Sequence, residues 1–325
     1  MNKVLKWTLR VLAALLALVV LAVCGFFAWD RIRCWDFYAE AERGLDIPGL
    51  WDGFVPQGFT YDEQQGVYLT CGYDKGGDAS RIYILDGESE KRIDLKNADG
   101  SDYTGHTGGI ALFGDYVYIT GDAELDIFLR AEVFGGSGTA TQADLFALPI
   151  DPAYCTVYNG VLYTGSYYHP GAYETPAEQR ITTPAGDGNT AVMLAYALDA
   201  VSGKPHGSPI AAYSTRGQIQ GMTFVGDNLP VLASSYGLAV SGLHYYDISA
   251  LQPHGTFADA PLYYLDSACH IETVDAPPMA EELVYHDGKV WIMNEAASMK
   301  YLFGKLTFAG KVHGIEPPAS VKALL

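Results

Sequence analysis

Five short apolar runs, each beginning on a polar or glycine step, organise the chain from residue 55 onward: 55–61 (VPQGFTY), 107–113 (TGGIALF), 153–158 (AYCTVY), 219–225 (IQGMTFV) and 280–285 (AEELVY). Each is followed by a turn signal and then by a second run, and the second run opens on valine every time: Val67, Val117, Val161, Val231 and Val290. The turns, at 62–66, 114–115, 159–160, 226–228 and 287–288, all contain glycine with Asn or Asp, as Asn-Gly at 159–160 and Asp-Gly at 287–288. Such steps tolerate the positive φ that tight hairpins need. Each pair of runs therefore predicts a β-hairpin.

A hairpin returning roughly every 45 to 66 residues is the mark of a radial repeat, in which a unit that cannot bury both faces alone stacks on its neighbours. The pattern predicts an all-β fold, a β-propeller of five blades, with six as the alternative because the third unit is long enough to hide strands. In the first blade, residues 81–86 and 91–95 alternate as third and fourth strands. The second blade continues through 125–129 and 143–149. The third is interrupted by an insertion at 169–190 before 191–199 resumes the pattern. The fourth uses 244–248 and 262–265, and a second insertion, 267–279, leads into the fifth, whose third strand is expected at 301–306. A closed ring joins its last blade to its first, since an open edge invites aggregation; residues 34–50 or the tail 311–325 are the candidates.

The N-terminus follows a different period. Residues 11–29, VLAALLALVVLAVCGFFAW, carry no charge and follow Lys3, Lys6 and Arg10. As a helix they span about 28 Å, enough to cross the hydrocarbon core. Positive charge before the span places the N-terminus in the cytoplasm and the rest outside it. A cleaved signal peptide and a lipoprotein signal at Leu21-Ala22-Val23-Cys24 are the rival readings; Val23 stands where a lipobox has a small residue. The expected organisation is thus a cytoplasmic tip and single-pass membrane anchor over 1–29, a stalk with a short helix near 35–43 over 30–54, and the propeller over 55–325.

Charge narrows the partners. The chain has 20 basic and 38 acidic residues, a net charge of −18, and the first 29 residues hold three of the basic ones and no acid. The remainder lacks the basic stripe that a phosphate backbone requires, so nucleic acid is excluded as a partner. Cys24, Cys34, Cys71, Cys155 and Cys269 show no metal-ligand spacing, and the last four leave disulfides open in an exported domain. The acidic turn 122–126 lacks the glycine and distal glutamate of a calcium loop. No phosphate loop, HExxH or GxSxG motif is present, so neither a cofactor nor a metal is expected.

The first run of each unit is expected nearest the axis, so candidate chemistry gathers there: Gln57, His106 with Gly108, Tyr154, Gln220 and the Glu281-Glu282 pair. A single carboxyl, Glu281 or Glu282, with His106, is the candidate general acid or base. Adjacent strand residues point to opposite faces, so only one of the two glutamates is expected to meet a given ligand. At the far ends of the second runs, Tyr73, Tyr167, His169, Tyr236, Asn294 and Glu295 are the candidate ligand-binding set, the tyrosines as a stacking surface for sugars or other planar ligands.

The steps Gln57-Gly58-Phe59, Gly108-Gly109-Ile110, Gln220-Gly221-Met222 and Glu281-Glu282-Leu283, the last followed by Gly288-Lys289-Val290-Trp291, resemble the repeats of five-bladed propellers of the plant-type glutaminyl cyclotransferase group over residues 55–306. That resemblance implies cyclisation of N-terminal glutamine with a carboxylate as proton carrier. The family's channel tryptophans have no counterparts here, as Trp35 and Trp51 precede the repeats and Trp291 lies on a second strand. The chain also resembles gluconolactonase-type propellers, although Gln57, Gly108 and Gln220 replace their metal ligands. The sequence reading is a membrane-anchored extracytoplasmic propeller binding a small-molecule or glycan-like ligand or a protein partner. A cyclotransferase-like or lactonase-like enzyme and an envelope scaffold are the alternatives.

Overall fold

The computed structural model describes residues 3–87, 89–301 and 304–325. Helix α1 (Lys3–Arg33) is followed by α2 (Trp35–Glu40) and by strand β1 (Glu42–Asp46). Antiparallel groups of four strands then follow one another along the chain; the first two are joined by a parallel pairing of their outer strands (Asp94–Lys96 with Thr139–Thr141) into one eight-stranded sheet, and the third is extended to six strands. The first is β2 (Phe54–Asp62), β3 (Val67–Asp74), β4 (Arg81–Leu85) and β5 (Glu90–Lys96). The second is β6 (Ile110–Phe113), β7 (Tyr116–Thr120), β8 (Glu124–Leu129) and β9 (Thr139–Ala147). The third is β10 (Pro152–Tyr158), β11 (Val161–Ser166), β12 (Ala191–Ala197) and β13 (Ala211–Thr215). The fourth comprises β14 (Ile219–Gly226), β15 (Leu229–Ser234), β16 (Ser241–Tyr246) and β18 (His270–Ala276), with β17 (Ala260–Tyr264) inserted before its last strand. The fifth is β19 (Ala280–His286), β20 (Lys289–Asn294), β21 (Lys311–Ile315) and, returning from the N-terminus, β1.

The first strands of the sheets form a cycle: β2 lies beside β6, β6 beside β10, β10 beside β14, β14 beside β19, and β19 beside β2. Every neighbouring pair of sheets encloses its own apolar cluster. Leu69, Ile82, Val117 and Ile119 lie between the first and second sheets, and Tyr118, Leu162, Leu194 and Tyr196 between the second and third. Met193, Met222 and Leu232 fill the next interface, Val231, Leu243, Leu283 and Val290 the one after it, and Phe59, Met279, Met293 and Val312 the last. A side chain of this size contributes about 1.5–3 kcal/mol on full burial, so the interfaces, and not the isolated hairpins, hold the fold. The architecture is all-β and propeller-like, with one apolar helix at its N-terminus.

The turns predicted from Asn-Gly and Asp-Gly form as expected, with Asn159 at φ 50° and Asp287 at φ 49°. The outer strands depart from the sequence reading. Residues 262–265 do not close the fourth sheet: Leu262, Tyr263 and Tyr264 of β17 run parallel to β13 and extend the third sheet. The fourth sheet is closed instead by β18, which lies inside the stretch expected to be an insertion. Its pattern is disguised because only one of its residues is buried, so it shows no apolar alternation. Similarly, β13 falls outside the predicted strands, and β9 starts four residues before the predicted one.

In the fifth sheet the strand expected at 301–306 does not form. Gly304–Leu306 is a 3₁₀ turn, and Leu302 and Phe303 lie outside the described residues. Both candidate closing segments are used, since β21 pairs with β20 and β1 pairs with β21. Residues 30–54 are consequently not a free stalk: Cys34, Phe37 and Tyr38 are core residues and Ile47 and Leu50 are buried beside Trp291. All five cysteines are unpaired.

Candidate functional site

At the register step of β19, Ala280 pairs with Asn294 and Leu283 with Ile292, so Glu281 and Glu282 together oppose one residue. β2 shows the same bulge, with Gln57 and Gly58 between Pro56↔Gly72 and Phe59↔Thr70. A bulge suspends the two-residue alternation and re-aims side chains. Both glutamates are buried, 2% and 0% exposed.

Their surroundings nevertheless differ. A Cβ on Gly109 would stand 2.4 Å from the Cys155 amide nitrogen, and one on Gly221 would stand 2.5 Å from both the Glu281 carbonyl oxygen and Glu282 Cα. The first strands thus touch through backbone at this level, so these glycines close the axis and do not line an open channel. Glu282 lies in this closed layer. Its Oε1 accepts from the Met222 amide at 2.8 Å and the Leu283 amide at 3.3 Å, whereas Oε2 has no partner among the described residues. Burial pushes its pKa well up, and the amides of Met222, Leu283 and Cys155 offset that only in part. Glu282 ties β19 to β14.

Glu281 faces the end of the ring where β2 begins and β3 and β20 end. There it is hydrogen-bonded to Glu295. Glu295 accepts from Gln57 Nε2 at 2.9 Å and from Tyr301 Oη at 2.6 Å, and Gln220 Nε2 approaches Glu281 Oε1 at 3.5 Å. Two carboxyls in hydrogen-bond contact hold one proton between them. Burial first, and then the Glu295 charge, raises the Glu281 pKa well above its ordinary value. Glu295 is also raised by burial, but donors from Tyr301 and Gln57 and the nearby Lys300 favour its ionised form. Lys300 lowers the pKa of both carboxyls, whereas Gln57 and Tyr301 donate to Glu295 alone.

The surroundings of this pair are aromatic. Tyr73 stacks on His106 with centroids 4.8 Å apart, and Lys300 donates to the Tyr73 hydroxyl. His106 is exposed at the mouth; desolvation by the atoms crowded around it, with Lys300 nearby, pushes its pKa down to about 4. Tyr167 donates to the Ser235 carbonyl at 3.1 Å and meets Tyr173 edge-on. At the rim His169 stacks on Tyr236 at 3.5 Å.

The structure thus brings Gln57, Glu281, Glu295, Tyr73, His106, Gln220 and Tyr167 to one mouth, with His169 and Tyr236 beside it. Three candidates lie elsewhere, Glu282 in the closed layer and two in the core. Tyr154 is 0% exposed and packed over Gly165 in the core, where a Cβ would stand 2.1 Å from its hydroxyl oxygen. Asn294 donates from within the core to the Pro277 and Pro278 carbonyls. Lys300 and Tyr301 were not legible as site residues, because they follow Glu295 in a loop with no strand pattern.

A second feature was also missed: a polar cavity of about 300 Å³ lined by Asp187, Asn189, Arg216, Asp266 and His270, among others. Arg216 donates to Nδ1 of the buried His244 at 3.0 Å, which leaves the ring proton on Nε2 to face Ser234 Oγ at 2.8 Å. Among the described residues no group of three or more His, Cys, Asp or Glu side chains converges as a metal site.

These buried groups fix a pH response. Burial and then Arg216 lower the His244 pKa from 6.5 to about 3. The stability His244 contributes is present above about pH 6.5 and is lost as pH falls toward 3. Glu282 has the opposite sign. Its contribution is full below its ordinary value of 4.5 and is lost as pH rises through its elevated pKa. The expected melting temperature falls on both the acid and the alkaline side, and Glu282→Gln flattens the alkaline limb alone. Calorimetry of the two proteins across pH checks this; an unchanged alkaline limb in the variant would count against it.

Fold and mouth together define an all-β, propeller-like protein with a carboxyl pair at the axis and one apolar helix. No family model matches the chain, and no curated protein matches it. Solved structures with a similar outline include the PQQ-bound aldose sugar dehydrogenase of Streptomyces coelicolor, 15% identical, with a TM-score of 0.46 over 86% of this chain and 80% of that one. The glutaminyl cyclase of Myxococcus xanthus is 11% identical, with a TM-score of 0.45 over 85% of this chain and 95% of that one.

Proposed function

We propose that the five sheets are the blades of a five-bladed propeller held outside the cytoplasm by α1. Its axial mouth binds a small, polar or glycan-like ligand and transfers protons on it through Glu281 and Glu295. The observation that carries this reading is the pair itself: two buried carboxyls lie in hydrogen-bond contact under a rim of tyrosines, and Gln57 and Tyr301 donate to only one of them. Environments that split two acids in this way assign them different roles. Glu281 supplies a proton to a ligand oxygen or nitrogen, and Glu295, ionised, accepts one. Tyr73 and Tyr167 offer flat apolar surface with hydroxyl edges, which suits the face of a sugar ring or a lactam. Glu282 belongs to the closed layer below and acts as a brace. His106, neutral and stacked on Tyr73, shapes the wall.

The test is a thermal-shift panel on the full-length protein in detergent, run with sugars, sugar lactones and peptides bearing N-terminal glutamine. A ligand of the right class at a hundred times its Kd stabilises by about 2.7 kcal/mol. The expected result is stabilisation by one class, weakened when Glu281 and Glu295 are both changed to glutamine. Stabilisation by none of the three, or an equal shift in the double variant, sinks the reading.

A further inference from the structure

The insertion at 169–190 carries His169 and Tyr173 at the mouth, but its last turn serves a different place, the polar cavity of about 300 Å³ between the third and fourth sheets. Ile181 and Thr182 pair there with Asn189 and Gly188. The turn between them is closed by the Thr183 amide, which donates to the Asp187 carbonyl at 2.8 Å, with Gly186 at φ 93°. Asp187 and Asn189 thereby share one wall of the cavity, and Asp266, from the corner after β17, continues it. Arg216, from the end of β13, stands on the same cavity with Tyr246 and His270 of the fourth sheet.

The hydrogen bonds within this cavity leave oxygen acceptors over. Asn189 is buried, and its Nδ2 donates to the Ser214 hydroxyl at 2.7 Å and to the Ser214 and Leu265 carbonyls at 3.0 and 3.1 Å. The amide is thus fixed, and its Oδ1 has no donor among the described residues. Asp266, 8% exposed, accepts on its side chain from the Ala268 amide alone, at 3.0 Å on Oδ1. Asp187 accepts from the Ser267 amide and hydroxyl, both on Oδ2, at 2.9 and 2.6 Å. Each carboxylate therefore keeps one oxygen without a donor. The cation is left over in the same way. Arg216 donates from Nη1 to the neutral His244 ring at 3.0 Å and interacts with the Tyr246 hydroxyl, and it ion-pairs with no carboxylate among the described residues. Burial and then Arg216 lower the His270 pKa from 6.5, so that ring adds no charge at pH 7. Glu272, the next charge beyond His270, is engaged by the Ser320 hydroxyl. The cavity wall thus presents two carboxylates, one amide oxygen and one guanidinium, each held by neutral partners and none neutralised by another.

We propose that this cavity is a second binding site, separate from the mouth, and that it takes a free basic α-amino acid. The ligand's carboxylate accepts from Arg216, and its two cationic groups donate to the oxygens of Asp187, Asn189 and Asp266. An ammonium brings three donors and no acceptor, and a guanidinium pairs a carboxylate through parallel N–H bonds, so the two kinds of wall call for the two kinds of charge. Two carboxylates against one guanidinium call for one more positive group than negative, which is the charge of lysine or arginine. Leu265 and the Tyr246 ring offer apolar surface to the methylene stem. The volume stands at the small end of ligand pockets, about 300–1,000 Å³, and suits a single amino acid.

Titration calorimetry of the full-length protein in detergent at pH 7 is the test. Saturable binding of L-lysine or L-arginine is expected. Removing the carboxylate, as in cadaverine and agmatine, or the side-chain charge, as in norleucine, is expected to weaken it by about tenfold or more. Arg216→Gln, at an exposed position, and Asp187→Asn, on the insertion turn, are each expected to weaken it by about as much, with the unliganded melting temperature as the check on folding. Glu281→Gln, at the mouth, is expected to leave it unchanged. Binding of neither amino acid, equal binding of cadaverine, agmatine or norleucine, or binding that survives both cavity variants overturns the inference, and the reading of the mouth then stands or falls on its own ligand panel. Loss of binding in Glu281→Gln with retention in Arg216→Gln places the amino acid in the mouth and overturns it equally.

Discussion

Gly221→Ala is expected to destabilise the body by about 2–6 kcal/mol. The added methyl carbon would sit 2.5 Å from the Glu281 carbonyl oxygen and from Glu282 Cα, and both are backbone atoms that cannot rotate away. Relief requires β14 and β19 to move apart, which breaks the bond from the Met222 amide to Glu282 at 2.8 Å and loosens the axis for every sheet. Overpacking of a closed core costs about 1–3 kcal/mol, occasionally more, and a buried acceptor stripped of its donor adds about 1–3 kcal/mol. The sum is a large part of the stability of an ordinary domain, about 5–15 kcal/mol. Denaturant titration of full-length protein in detergent reads the effect. A midpoint equal to that of the natural chain would mean that the strands do not meet at the axis.

Glu295→Ala is the second large effect. It strips the acceptor from Gln57 Nε2, from Tyr301 Oη and from the Glu281 proton at once. Each buried group left unsatisfied costs about 1–3 kcal/mol, so the loss is expected to be several-fold larger than that of Glu295→Gln, which keeps an acceptor oxygen for Tyr301 in the same volume. The ratio of the two losses, from the same titration, is the informative quantity. Similar losses would place Glu295 outside the network and remove the basis for its role as a proton acceptor.

The sequence made the inner half of each sheet legible and the outer half obscure, for a physical reason. Inner hairpins are buried on both faces and bounded by turns that need Asn-Gly or Asp-Gly, so valine and glycine recur at fixed steps. The outer strand β18 has one buried residue in seven and shows no such pattern. β1 and β21 are separated by more than 260 residues, and no local signal pairs them. At the site, Gln57 could be found because it marks the repeated register step, and Glu281 because two carboxyls stand there where the other copies have neutral residues. Their partnership with Glu295 and Tyr301 could not, because it depends on two bulges and a loop. The bulge sets both glutamates opposite a single residue, with Glu281 beside Gln220 and Glu282 on the Met222 amide.

The central claim is that a carboxyl pair at the mouth stores one proton at neutral pH. Infrared spectroscopy reads this directly, because a protonated carboxyl absorbs apart from a carboxylate. In the full-length protein at pH 7 a protonated-carboxyl band is expected, reduced in Glu281→Gln and abolished when Glu282→Gln is added. A spectrum with no protonated carboxyl at pH 7, or a band untouched by Glu281→Gln, would contradict it.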